Sequence, residues 1–272
     1  MRFSGFTAAC TGSRRPTGEL LQPGGWLFRQ PPGHSGWIWV ISVYNSGRYR
    51  LAGRGALTGL MPYGDANAIV MDMANEVLTI VKDTPVLAGV CGTDPFRQMD
   101  RFLEDVKMIG FAGVRNFPTV GLIDGLFRQN LEETGMGYGL EVEVIRLAHE
   151  MDLVTTPYCS NVEDAEQMAS AGPDIVVAHM GPTTKGSVGA TTAVALEEAP
   201  AKVPEIAEAA RSVNPDVIVL CHGGPISEPE DAEYALQRTH NVHGFYGASS
   251  MERLPVEVAL TEQMRKFKAV RF

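Results

Sequence analysis

Long apolar runs are missing from this sequence. No stretch of its 272 residues reaches the roughly 18 apolar residues that a membrane-spanning helix needs. The N-terminal region also lacks the basic start, apolar block and small-residue cleavage site of a secretory signal. The expectation is a cytoplasmic protein with no membrane partner. Cysteine is scarce: Cys10, Cys91, Cys159 and Cys221 are the 4 present, and no two form a CxxC pair. That argues against a zinc knuckle and fits reduced thiols in a cytosolic compartment. Basic residues are outnumbered 23 to 32, giving a net charge of −9. A nucleic-acid partner is therefore not expected, and the acidic balance speaks of solubility rather than of a binding site. Acidic residues are themselves absent between Glu19 and Asp65.

What is present is a rhythm. Short runs rich in Val, Ile and aromatics recur at Ile38–Tyr44, Pro85–Cys91, Gly113–Phe117, Leu153–Tyr158, Asp174–His179, Val217–His222 and Val242–Tyr246. Runs of four to eight such residues are the mark of buried parallel strands. Helical patterns separate them. Ile69, Val70, Met73, Val77 and Ile80 make one stripe. Met99, Phe102, Leu103, Val106 and Ile109 make a second, and Val142, Ile145 and Ala148 a third. Ser160 and Asn161 before Glu163 read as a helix start. Pro204, Pro229 and Pro255 each suit a first helical turn. Strand followed by helix, repeated, predicts parallel strands joined by right-handed crossovers. The fold class expected is α/β, a TIM (β/α)8 barrel; an open doubly wound sheet is the alternative. Residues 38–272 form the barrel domain in this reading. Residues 1–37 form an atypical N-terminal segment that breaks every periodicity with proline and glycine, and all 3 tryptophans lie at 26–39. The first β/α unit is thus expected to be aberrant or missing, with residues 11–36 outside the barrel and poorly ordered.

In a barrel the chemistry sits at the C-terminal ends of the strands. Two runs end there on a histidine followed at once or nearly so by glycine: VVAHMG at 176–181 and VLCHGGP at 219–225. His179 and His222 are the catalytic candidates, because an imidazole exchanges a proton near neutral pH. Each also reads as a hydrogen-bonded strand-end residue. Asp94, in CGTDP, is a further catalytic candidate and the one candidate metal ligand, for Mg2+; it reads equally as a helix cap. Gly223, Gly224, Gly247, Ser249 and Ser250 follow the last two strands, where barrels bind anions through backbone N–H groups. They are also ordinary turn residues. Arg48 and Ser46, in YNSGRYRLAGRG, suit an oxyanion, as guanidinium forks match carboxylate and phosphate; a solvated loop or a subunit contact is the other reading. Asn116 reaches another strand end as a candidate substrate ligand or a turn residue. Tyr158 and Cys91 read as packed, and Lys185 lies in a Gly/Ser/Thr loop with the composition of a lid.

Several of these words occur together in one family. LMPYGDAN (60–67), VLAGVCGTDPF (86–96), NFPTVGLIDG (116–125), LEETGMGYGLEVEVIRLAH (131–149), VVAHMG, VLCHGGPI and HGFYGASSMERLP (243–255) follow in order. In these the chain resembles the phosphoenolpyruvate hydrolase-like TIM-barrel proteins. The resemblance implies a hydrolase acting on a small anionic enol- or oxo-acid, with phosphoenolpyruvate the suggested substrate, and a homo-oligomer. A carbon–carbon or carbon–phosphorus bond lyase or mutase, and a non-catalytic metabolite-binding signalling barrel, are the alternatives. Such proteins begin with a strand, a glycine-rich loop and a short helix. That element is absent here, and a shifted reading frame or misplaced start over residues 10 to 40 is the expected cause.

Overall fold

A computed structural model of the chain describes residues 25–29, 37–43, 64–184, 194–247 and 256–271, with side chains from residue 64 onward except at 256–258. The strands are β1 (Gly25–Arg29), β2 (Trp37–Val43), β3 (Val86–Val90), β4 (Gly113–Asn116), β5 (Val154–Thr155), β6 (Tyr158–Cys159), β7 (Ile175–His179), β8 (Ile218–His222) and β9 (Gly244–Phe245). The helices are α1 (Ala66–Val77), α2 (Met99–Ile109), α3 (Gly125–Glu133), α4 (Gly139–Glu150), α5 (Val162–Ser170), α6 (Ala199–Val213), α7 (Pro229–Arg238) and α8 (Val256–Lys268). Every apolar run of the sequence carries a strand, and the alternation with helices gives an α/β barrel.

The hydrogen-bonded order is β5-β4-β3-β2-β1-β9-β8-β7-β6. Its two ends, β5 and β6, are halves of one segment, 154–159. One half pairs in parallel with β4 and the other in parallel with β7. Eight strand positions therefore follow one another in a ring, but no ladder runs unbroken across the last of them. Pro157 stands at the break and has no N–H to donate.

The first unit is aberrant in direction. β1 runs antiparallel to both β2 and β9, whereas the other ladders are parallel. The expectation that residues 11–36 lie outside the barrel is corrected at Gly25–Arg29, which joins the sheet, though as an antiparallel strand and not as a regular parallel one. The physical reason lies in the neighbours: β2 and β9 would otherwise present unpaired backbone edges. The preceding chain fills that place by folding back on β2.

Residue parity along the strands sorts side chains into two layers. Val86, Ala88, Val90, Val114, Cys159, Val176, Ala178, Val219, Cys221 and Phe245 pack outward with Val70, Leu103, Ile145, Met168 and Ala207 of the helices. Leu87, Phe117, Tyr158, Ile175, Val177, Leu220 and Tyr246 fill the interior. Period-two alternation in the strands and period-3.6 stripes in the helices meet in the outer layer. One boundary differs from the sequence reading. α6 begins at Ala199, with a proline in its first turn, so Pro204 lies inside the helix. The Ala-rich stretch on both sides sustains the helix across the missing N–H. Pro229 does open α7, beside a reciprocal Glu228–Asp231 cap. The described side chains of 259–271 at the end of the chain are all exposed. Among the described residues no helix is long and apolar enough to cross a membrane.

Candidate active site

His179 and His222 are the last residues of β7 and β8 and share the parity of Val177 and Leu220, so both imidazoles turn to the barrel interior. They are partners in the parallel ladder. Their ring centroids are 4.7 Å apart at 75°, an edge-to-face contact. Tyr158 completes the group: its ring meets His179 edge-on at 4.7 Å and stacks on His222 at 5.1 Å and 6°. Tyr246 stands edge-on to Tyr158 at 5.6 Å. The two histidines thus touch each other, rather than standing a substrate's width apart.

The glycines after each histidine have a structural cause. Gly223 and Gly224 sit at φ +75° and +56°, in the left-handed region. A Cβ on Gly223 would lie 2.5 Å from the Gly181 carbonyl oxygen, and one on Gly224 2.2 Å from that of Met180. The two loops pack backbone against backbone. Met180 N–H donates to His222 O at 2.8 Å, and Gly224 N–H to Gly181 O at 2.7 Å. The Gly224 amide, a candidate anion donor in the sequence, is committed to this contact.

The imidazoles are chemically unlike. Nδ1 of His179 accepts the Gly181 N–H at 2.9 Å, so its neutral tautomer carries the proton on Nε2. Burial, and secondarily the charge of Arg115, push its pKa down to about 3. His179 is a neutral donor at ordinary pH. His222 has the opposite tautomer. Its Nδ1 contacts the Tyr246 carbonyl oxygen, which only accepts, so Nδ1 carries a proton and, in the neutral ring, Nε2 the lone pair.

Arg115 was not singled out by sequence reasoning. It lies in the middle of β4, is 1% exposed, and shares the inward parity of Phe117. Its Nη1 donates to the Tyr158 hydroxyl at 2.7 Å. Its guanidinium lies 5.5 Å from the Phe117 ring centre and 5.3 Å from that of Tyr158. The available signal was a charged residue inside a strand run. Thr156 and Tyr246 add a hydroxyl pair at 2.7 Å.

Asn116 and Asp94 are placed elsewhere. Asn116 has the outward parity, and its amide is spent on the backbone of Tyr158. Oδ1 accepts Tyr158 N–H at 2.6 Å, and Nδ2 donates to Tyr158 O at 3.2 Å and to Glu141 Oε2 at 2.6 Å. The side chain stands in for the ladder missing between β4 and β6. Asn67 of α1 does the same at the end of β3. It accepts Cys91 N–H at 2.9 Å, donates to Cys91 O at 3.1 Å, and donates to Asp94 Oδ2 at 2.9 Å. Asp94 also accepts Phe96 N–H and pairs with Arg97. It does not cap α2, whose N-cap is Gln98. Its oxygens are taken by these donors, and among the described residues no three His, Cys, Asp or Glu side chains gather as a metal site. The surroundings of Asp94 do not fit a Mg2+ site.

Glu141, also missed, is wholly buried at the start of α4. Thr119 Oγ1 and Val120 N–H donate to it at 2.7 Å each, alongside Asn116. Burial pushes its pKa up to about 7 against the pull of those donors. Burial likewise pushes the Cys91 thiol up to about 11, which makes it unreactive. Gly247 is buried just beyond β9. Arg48, Ser46, Ser249, Ser250 and Lys185 lie outside the described residues.

Comparison with known proteins agrees with the motif words. The tomato mosaic virus susceptible protein tm-1(GCR26) of Solanum lycopersicum is 64% identical over 236 residues, covering 87% of this chain and 31% of that protein. The tomato mosaic virus resistance protein Tm-1(GCR237) of the same plant matches to the same extent. The chain thus spans about a third of the length of these relatives. FabK from Thermotoga maritima superposes with a TM-score of 0.45 at 14% identity, over 71% of this chain and 49% of that one. So slight a likeness adds nothing to the fold read from the ladders. The phosphoenolpyruvate hydrolase-like family model matches residues 33–270. The chain belongs to the phosphoenolpyruvate hydrolase-like family.

Proposed function

We propose that this protein hydrolyses a small anionic enol ester of the phosphoenolpyruvate type. The observation that carries the reading is the pair of oppositely tautomeric histidines packed on Tyr158, whose hydroxyl accepts from Arg115. In the reaction, water attacks phosphorus and the enol C–O–P bridge breaks on the phosphorus side. His222 Nε2 takes the water proton. His179 Nε2–H donates to the oxygen on which enolate charge develops, as a neutral imidazole can without surrendering its proton. The enolate then takes a proton at its terminal carbon from the His222 imidazolium, giving pyruvate and phosphate. Arg115, itself buried, contributes a positive field among buried side chains, where a charge acts more strongly than in solvent. Arg48, Ser46, Ser249, Ser250 and Gly247 are the proposed holders of the substrate's anionic groups.

The test is direct. The purified protein is incubated with phosphoenolpyruvate, and phosphate and pyruvate are measured together. Equal release of the two, lost in His222→Asn, supports hydrolysis. Trapped enolate without phosphate release points to bond-transfer chemistry instead. Saturable binding with no turnover points to a metabolite-sensing barrel, a reading favoured by the close packing of the rings.

A further inference from the structure

We infer that Glu141 is a positioning residue of this site, acting through Asn116 on Tyr158, whose ring rests on both histidines. For its effect on turnover the inference relies on the function proposed above.

The argument begins at the gap in the sheet. Strand segments are normally held in register by neighbouring backbone, but β6 lacks that support on its β4 side. The Asn116 amide supplies it, facing the two backbone groups of Tyr158 as a peptide unit would. An amide can face them only one way round: exchanging Oδ1 and Nδ2 would set donor against donor and acceptor against acceptor. Glu141 enforces that orientation, because its Oε2 is an acceptor and so selects the donor Nδ2 over the acceptor Oδ1. Thr119 and Val120 fix the carboxylate in turn. The Tyr138 hydroxyl donates to the Tyr158 carbonyl as a further support. Tyr158 then transmits the arrangement inward, being stacked on His222 and edge-on to His179. A helix outside the barrel thereby sets the geometry of rings inside it. The Asp94–Asn67–Cys91 set repeats the same bonding at β3 without touching the ring group, and so provides a matched control.

Glu141→Gln tests the idea. Whichever way it turns, the glutamine sets an NH2 group against one of the three donors, at nearly unchanged volume. The ring resonances of His179 and His222 are followed by nuclear magnetic resonance on isotopically labelled protein. Turnover of phosphoenolpyruvate is measured in parallel. Glu141→Gln is expected to shift both histidines' signals and to lower kcat by roughly tenfold or more, with KM changed less than about threefold. Asp94→Asn is expected to lower thermal stability while leaving the histidine signals in place. If Glu141→Gln does not fold, Thr119→Val, which removes one donor, is read in the same way with smaller shifts expected. The inference is overturned if the folded variant loses stability as Asp94→Asn does while histidine signals and kcat stay put. Should wild-type protein show no turnover, the proposed reaction fails but the histidine signals still decide the role of Glu141.

Discussion

His179 lies opposite His222 in the ladder between β7 and β8, and the two imidazoles meet edge to face at 4.7 Å. Adjacent strands place equivalent residues about 4.8 Å apart, so a histidine at matching positions of two neighbouring strands yields this contact without further design. Their backbone partners then make them opposites: one ring nitrogen accepts from Gly181, the other donates to Tyr246. His179→Leu, which has no donor, is expected to lower turnover by roughly 10²-fold with modest change in substrate affinity, as the developing negative charge loses its hydrogen bond. Steady-state kinetics on phosphoenolpyruvate checks this; full activity in the variant would remove His179 from the reaction.

The low pKa of His179 has a stability consequence with a definite sign. The unfolded chain binds a proton near pH 6.5, whereas the folded protein resists it until about 3. The unfolded state therefore holds more protons in that window, and stability falls as pH drops through it. Denaturant unfolding at stepped pH should show this slope diminished in His179→Gln.

Glu141 tilts the balance the other way. Its pKa rises from 4.5 to about 7 on folding, so the folded state binds the extra proton. Its contribution to stability is present below pH 4.5, declines as pH rises from 4.5 to about 7, and is constant beyond. Comparing unfolding of wild type and Glu141→Gln between those limits should reveal a decline present only in the wild type.

Gly224→Ala should be among the costly single substitutions. The added methyl meets the Met180 carbonyl at 2.2 Å on a backbone already at φ +56°. A loss of about 1–3 kcal/mol is expected from the backbone strain alone, seen as a lower melting temperature. A neutral effect would mean that the two His–Gly loops are not packed as described.

Asp94→Asn should act on stability before chemistry. The carboxylate is held by Asn67, Phe96 N–H and Arg97, and removing its charge leaves Arg97 with Asp65 alone. Retained turnover with a lowered melting temperature is the expected result. Complete loss of turnover in a stable variant would return Asp94 to the catalytic machinery.

The sequence by itself determined the strand runs, the helical stripes and the two histidines at strand ends. These are local: a run of β-branched residues, a 3.6-residue stripe or a residue's place at a strand end requires no knowledge of distant neighbours. Tertiary structure alone decided what each candidate faces. Asn116 and Arg115 are adjacent in sequence, yet parity sends the first to the helices and the second to the interior, and only the arrangement of the strands around one another says which side is which. It also decided that Asn116 would replace a missing ladder, since the gap exists only because 154–159 is shared between β4 and β7. Glu141 gave no signal in the sequence, as a glutamate on an amphipathic helix reads as a solvated residue. Its burial, and with it its altered acidity, follows from the helix landing against Thr119 and Asn116. Local patterns set which elements form, whereas electrostatics and hydrogen-bond partners are properties of distances that folding creates.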